Sequence, residues 1–564
     1  MLATTSLDTL SVPATLYASL MARLDRLGSA PKELAQIGAV LGREFTYRLI
    51  ALVAQRDERE LQTALGQLGD AGLLFCRGVP PHSSYLFKHA LVQDAAYGTL
   101  LRGRRQELHA RVAAVLEQDF ADLVERRPEL LAHHLTAAGE IERAVDQWLD
   151  AGKHAAARLA HLEAIRHFER GLAELATLPE GSARDKREIE LQLARGLSLF
   201  TAKGVSAVEA EQAYTRAYEL AGPQGNQRQL FTAVFGLWQS ASVRRIFDAR
   251  RLSNRLQQLT AESADEELLL QAHHSAWSTC VFAGEPLAAR DHCEAGRRLY
   301  DPERHRLHRQ LYGGHDPGVC ARDVGGLAEW QLGYPDTALV SSGEGLALAA
   351  RIDHPFSLAI ALQYQSMLHL DRGEAELALL RLEAAEALVA EQRLGFIVEP
   401  QLLRGAALTA HGALEEAVAC LREGLAGPTR WRCYGLTTLA DALTHQGAYA
   451  AAVAAARDGL TTVEKTGQRR WEAELLRLEG IALSGLNRLE ESENAFAEAM
   501  RIARRQQAKA LELRAATSMA RLWRDQGKRQ QAHDLLTPVY GWFTEGFDTL
   551  DLKDAKALLE QLTA

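Results

Sequence analysis

The chain has 564 residues, 64 basic and 73 acidic side chains, and a formal net charge of -9. That length exceeds what one hydrophobic core supports, and the mild, dispersed charge excludes a large basic face for nucleic acid. Ala and Leu dominate an ordinary apolar share, and aromatic residues make up only 6% of the chain, a mixture that favours helix.

Residues 1–125 read as a first module. Apolar periodicity predicts helices over 13–27, 31–41, 46–55 and 57–71. Two short runs, Leu73–Arg77 and Ser84–Phe87, flank Gly78-Val79-Pro80-Pro81 and predict a β-hairpin, followed by one long helix over 90–118. Helices followed by a hairpin make a winged helix. Many such modules bind DNA, but the helix over 57–71 carries Asp57, Glu58, Glu60 and Asp70 against Arg56 and Arg59. An acidic helix reads a phosphate-lined groove poorly, so DNA binding is disfavoured.

From residue 126 to 564 one pattern recurs. A Gly is followed five residues later by a small residue, usually Ala, then by residues four and seven further on. Gly139, Gly284, Gly333, Gly373, Gly412, Gly447 and Gly527 start copies, and Asn487 starts another. Leu159 and Arg244 start weaker ones. Seven residues before six of these positions stand Gly326, Ser366, Gly405, Ala440, Gly480 and Ala520, all small. The Gly or Asn releases the chain from a first helix in a left-handed conformation. The next three positions share one face of a second helix, where Ala lets the pair cross closely. One pair cannot bury that face alone, so about ten pairs must stack.

This small-Gly-Ala arrangement resembles the tetratricopeptide repeat, which implies a right-handed α-solenoid and an all-α fold apart from the hairpin. The copies lie roughly forty residues apart instead of the usual 34 or so, which predicts longer helices and a deeper groove. The step from Gly284 to Gly333 needs an insertion, predicted as a loop near 301–323.

Longer strings carry a more specific resemblance. Val12-Pro13-Ala14-Thr15-Leu16 through Leu27, Ile37–Phe45, Phe87–Tyr97, Leu130–His134 and Tyr540–Asp548 resemble the C-terminal half of bacterial multidomain signalling proteins. Those proteins join a class III adenylate/guanylate cyclase domain, a STAND-type P-loop ATPase, a winged helix and tetratricopeptide repeats. No Gly-x-x-x-x-Gly-Lys-Ser/Thr occurs in this chain, so the phosphate cradle is missing. The resemblance therefore implies a sensing, regulatory tail. Its repeats would bind a protein or peptide in the solenoid groove and regulate an ATPase or cyclase module in cis or in trans. Two rival readings remain: part of an enzyme whose catalytic domains lie outside this chain, and a winged-helix transcriptional regulator.

No catalytic residue, cofactor site or metal site is expected. His89, in Phe87-Lys88-His89-Ala90-Leu91, resembles the winged-helix His that contacts nucleotide phosphate in STAND ATPases; with no ATPase core in the chain, packing or capping of the following helix is the favoured role. His133-His134 lacks a third ligand in register, and a zinc site among His305, His308, His315 and Cys320 is disfavoured by spacing. Trp330, Trp431, Trp471 and Trp523 are expected to be core or groove lining. The six cysteines show no Cys-x-x-Cys and are expected to be reduced thiols in a cytoplasmic protein. No apolar run approaches the ~20 residues of a membrane span.

Overall fold

The computed structural model describes residues 14–204, 207–224, 226–242, 245–263, 265–392, 394, 399–427 and 429–563. Val12 and Pro13 of the first resemblance string and Arg244 of a weak repeat copy lie outside them. The described chain is helical apart from one three-stranded sheet, and it forms two compact units, Met1–Leu191 and Gln192–Ala564.

In the first unit, helices Ala14–Arg26, Ser29–Leu41, Tyr47–Ala54 and Glu58–Asp70 match the periodicity. Side chains start two of them: Thr46 accepts from the Leu49 amide and Asp57 from the Arg59 amide, the usual service of these residues at a helix start. The predicted hairpin is present as β2 (Leu74–Arg77) paired with β3 (Ser84–Phe87). A third strand, β1 (Glu44–Thr46), adds to the far side of β3. Only Phe45 of β1 is buried, so its three residues carry no readable alternation. The Phe45 ring lies against Gly38, where a Cβ would stand 2.7 Å from it.

The single helix expected over 90–118 is two, Ala90–Gly98 and Arg102–Asp119. Gly98 is a weak helix former, and the Thr99 hydroxyl takes the Ala96 carbonyl, competing with the ladder. Leu101 is then extended, and Arg105 donates to the Tyr97 and Leu100 carbonyls.

In the second unit antiparallel helix pairs follow one another from Gln227 to Tyr540, with Leu550–Thr563 closing the row. This is a tetratricopeptide-like array. Each described residue predicted to release a helix is left-handed, from Gly284 at φ 75° to Asn487 at 58° and Gly527 at 80°; Gly139 and Leu159 do the same in the first unit. The small residues five positions on are buried throughout, from Ala249 to Ala532. The small positions of the first helices receive them. A Cβ on Gly326 would stand 2.9 Å from the Ala338 carbonyl oxygen. Ser366 Oγ donates to the Ala378 carbonyl at 2.9 Å, so a hydroxyl fits where it can satisfy the opposing backbone. Gly326→Val should therefore cost about 1–3 kcal/mol by overpacking, seen as a lower urea midpoint at unchanged slope. An unchanged midpoint would remove the close-crossing account.

The predicted loop at 301–323 is shorter. Asp316 accepts from the Gly318 and Val319 amides, Pro317 takes the first helical position, and the helix Pro317–Leu332 begins there. Before it, only the short helix His308–Leu311 interrupts the connection.

The array also touches itself over long sequence distances. Gly284 abuts Gln506 and the Arg469 backbone, Gly333 abuts Trp542 and Lys509, and Gly373 abuts Leu550. The tail string Tyr540–Asp548 supplies residues to this contact. Glu545 accepts from the Asp336 and Thr337 amides, both at 2.9 Å, capping the helix Pro335–Arg351 from 208 or more residues away. The Gly546 amide donates back to Asp336 at 2.9 Å.

Candidate functional site

Each site named from the sequence has a definite place. His89 is exposed, at the residue preceding the helix Ala90–Gly98, and its side chain makes no capping bond. It neither packs nor caps as expected. His133 and His134 gain a third partner that spacing could not reveal, His109 from the preceding long helix. His109 uses both ring nitrogens: Nε2 lies 3.0 Å from the Tyr97 hydroxyl and Nδ1 2.8 Å from His134 Nδ1. With no lone pair to spare, His109 is a buried hydrogen-bonding group and not a ligand. Burial, with the neighbouring His133 and Arg105, holds it down at about 4; burial and the two neighbouring histidines hold His134 at about 3.

The interior of the second unit is where distant pairs meet. Phe282, Tyr364, Trp431, Tyr434 and Trp471 pack ring on ring, with centroids 5.2–6.4 Å apart. The Arg430 guanidinium lies over Phe282 and Trp431 at 5.1 and 5.4 Å. Trp330, Trp431 and Trp471 are thus core, although Trp431 stands just before a helix and not within one, and Trp523 is partly buried. Beside the rings runs a charged layer. Arg470 donates to Gln331 Oε1 at 2.9 Å and reaches Asp371 at 3.4 Å. Arg514 donates to the Asp371 carbonyl and the Asp551 carboxylate, both at 2.8 Å, and stacks on Trp330. Burial pushes Asp371 up to about 6 against the pull of Arg470 and Arg514. Burial acts on Glu474 too, but the Arg477 and Arg514 guanidiniums overcome it and hold that carboxylate at about 2. Where these pairs meet, rings and guanidiniums from distant repeats pack together. The sequence carries no sign of this, because the partners lie 99–143 residues apart.

The histidines of the 301–316 connection separate into two groups. His305 and His308 lie together, ring centroids 4.8 Å apart, and Gln271 lies 2.9 Å from His308 Nδ1. His315 and Cys320 instead meet His274, from the helix Glu266–Ala283, which spacing arguments missed. Its only signal was a His-His pair, His273 and His274, the second three residues before Trp277 on that helix.

No family model matches the chain. It is similar to the uncharacterized protein R02095 of Rhizobium meliloti (strain 1021), with 29% identity over 524 residues, covering 89% of this chain and 50% of the relative. The chain thus spans about half the length of the curated relative it matches. Among solved structures, the Rap protein complexed with competence and sporulation factor gives a TM-score of 0.47 at 11% identity, covering 64% of this chain and 98% of that one. The STAND protein with a tetratricopeptide repeat sensor from Pyrococcus horikoshii gives 0.27 at 13% identity, covering 99% and 68%. At TM-scores below 0.5, neither carries a functional argument. Among the described residues, no helix is long and apolar enough to cross a membrane.

Proposed function

We propose that this chain is a regulatory, partner-binding element that recognises a protein or peptide and controls a nucleotide-hydrolysing or cyclase module. The observation that carries this reading is the stacked array of helix pairs, an architecture that presents extended surfaces for binding peptides and proteins. The match to half of a longer relative supports a role as one part of a larger signalling assembly. In this reading the helices and sheet of the N-terminal segment act as a winged helix, and His89, which is exposed, would meet a nucleotide phosphate where an ATPase core is supplied. In this reading the contacts tying Gln331 and Asp371 to Arg470 are the bistable element, and partner binding changes the curvature of the array by loosening them. The test is nucleotide turnover by a P-loop ATPase or cyclase encoded beside this chain, measured with and without it. A clear change in rate is expected; an unchanged rate at saturating chain defeats the reading. The purified chain alone should form no cyclic nucleotide above background, and robust formation would favour the enzyme reading.

A further inference from the structure

We infer that His274, His315 and Cys320 form a zinc site that pins the 301–316 connection to the helix Glu266–Ala283 and to the helix that follows the connection. One donor atom from each residue lies within 4.8 Å of the others. They come from three different elements: His274 from the helix Glu266–Ala283, His315 from the connection, and Cys320 from the first turns of the helix Pro317–Leu332. The donor set is two imidazoles and a thiolate with no carboxylate, which suits zinc and not magnesium or calcium.

The surroundings prepare both rings. His315 Nδ1 lies 3.0 Å from the Gly313 carbonyl oxygen, which can only accept, so Nδ1 carries the proton and Nε2 keeps its lone pair. His274 Nδ1 lies 2.9 Å from Gln271 Oε1, while the amide nitrogen of Gln271 donates to His308 Nδ1, so His274 has the same tautomer. Metal-bound histidines are held this way, with the second ring N–H on a carbonyl or carboxylate. The His274 ring is further fixed by stacking on Trp277 at 5.0 Å and by the His315 edge at 4.9 Å. The Trp277 indole N–H points at Cys320 Sγ, 3.4 Å away, a contact that stabilises negative charge on sulfur. The Gln239 amide and the His315 ring meet at the space a Gly313 Cβ would fill. The Gln239 side-chain oxygen is buried without a hydrogen-bond donor. Bond lengths of about 2.0–2.3 Å put tetrahedral donors roughly 3.4–3.6 Å apart, so the three need close by only about 1 Å. His274 and Cys320 are buried and His315 is half-buried.

The experiment uses the full chain, stripped with a chelator and titrated with cobalt, then zinc. One equivalent of cobalt should bind with a thiolate-to-cobalt charge-transfer band and tetrahedral visible absorption, and zinc should displace it. Cys320→Ser and His315→Gln should abolish the band, Gln271→Ala should weaken binding about 10–100-fold as an outer-shell change, and Cys433→Ser should change nothing. Folding of each variant is checked by circular dichroism. If Cys320→Ser does not fold, the half-buried His315→Gln decides. A folded wild-type chain that shows no thiolate band, or a band that survives His315→Gln, overturns the inference.

Discussion

Replacing Arg470 with methionine is expected to cost about 3 kcal/mol, near the low end for removing one member of a buried ion pair. Arg470 is almost wholly buried, whereas its partner Asp371 keeps some solvent contact, which moderates the penalty. The loss has two parts. Asp371 is left without one of its two guanidinium neighbours in a place where burial already disfavours its charge. Gln331 loses the donor to its side-chain oxygen, and only the bond from its amide nitrogen to the backbone carbonyl of residue 470 still ties these positions 139 apart. Urea unfolding at neutral pH measures the effect. Adding Asp371→Asn should recover part of the loss, because the orphaned charge is removed, and the double-mutant cycle isolates the coupling. A single-variant change below about 1 kcal/mol would mean that the long-range contacts are incidental to stability. The same variant bears on function: if these contacts are the element a partner loosens, Arg470→Met should mimic the bound state in the turnover assay.

The second large effect is a loss of stability in mild acid, to which the first unit contributes through His109 and His134. His109 and His134 have folded values of about 4 and about 3, against about 6.5 in an unfolded chain. Below 6.5 the unfolded chain takes up protons that the folded unit refuses, so stability falls as pH drops from about 6.5 towards 4. At pH 7.5 the two histidines are neutral in both states and cost nothing. By pH 4.5 each should have removed about 2–3 kcal/mol. Amide hydrogen exchange over Arg102–Asp119 and Pro128–Ala138 reads this locally. His134→Gln removes one titrating group while keeping hydrogen-bonding capacity, and it should flatten the dependence by a similar amount. Equal pH slopes for wild type and variant would show that these rings do not set acid stability.

Much of the fold was legible because its determinants are local. A left-handed residue at the end of a first helix, a small residue seven positions earlier and another five positions later all act within one helix pair, so their spacing survives in sequence. Asn487 shows how literal that rule is: it stands where Gly stands elsewhere and adopts the same conformation. The helix start at Pro317 was equally local, with Asp316 as its cap, although the predicted loop ran past it. The break at Thr99–Leu101 was missed because it depends on one hydroxyl and one arginine competing for carbonyls inside an otherwise helical run.

The candidate sites were legible only in part. His315 and Cys320 could be named as metal-type residues in an insertion, but the third donor, His274, comes from the preceding helix pair, and only the packing of three elements brings it within reach. His109 reached His133-His134 in the same way. By itself the sequence determined the helix pair, its length and the places where each helix must stop, because those rest on conformational preference and on contact between neighbours. Only the tertiary structure decided that the array touches itself over long sequence distances, that Glu545 caps a helix more than two hundred residues upstream, and that rings and guanidiniums of distant repeats pack together. Such contacts depend on how small rotations between successive pairs accumulate, and no residue spacing records that sum.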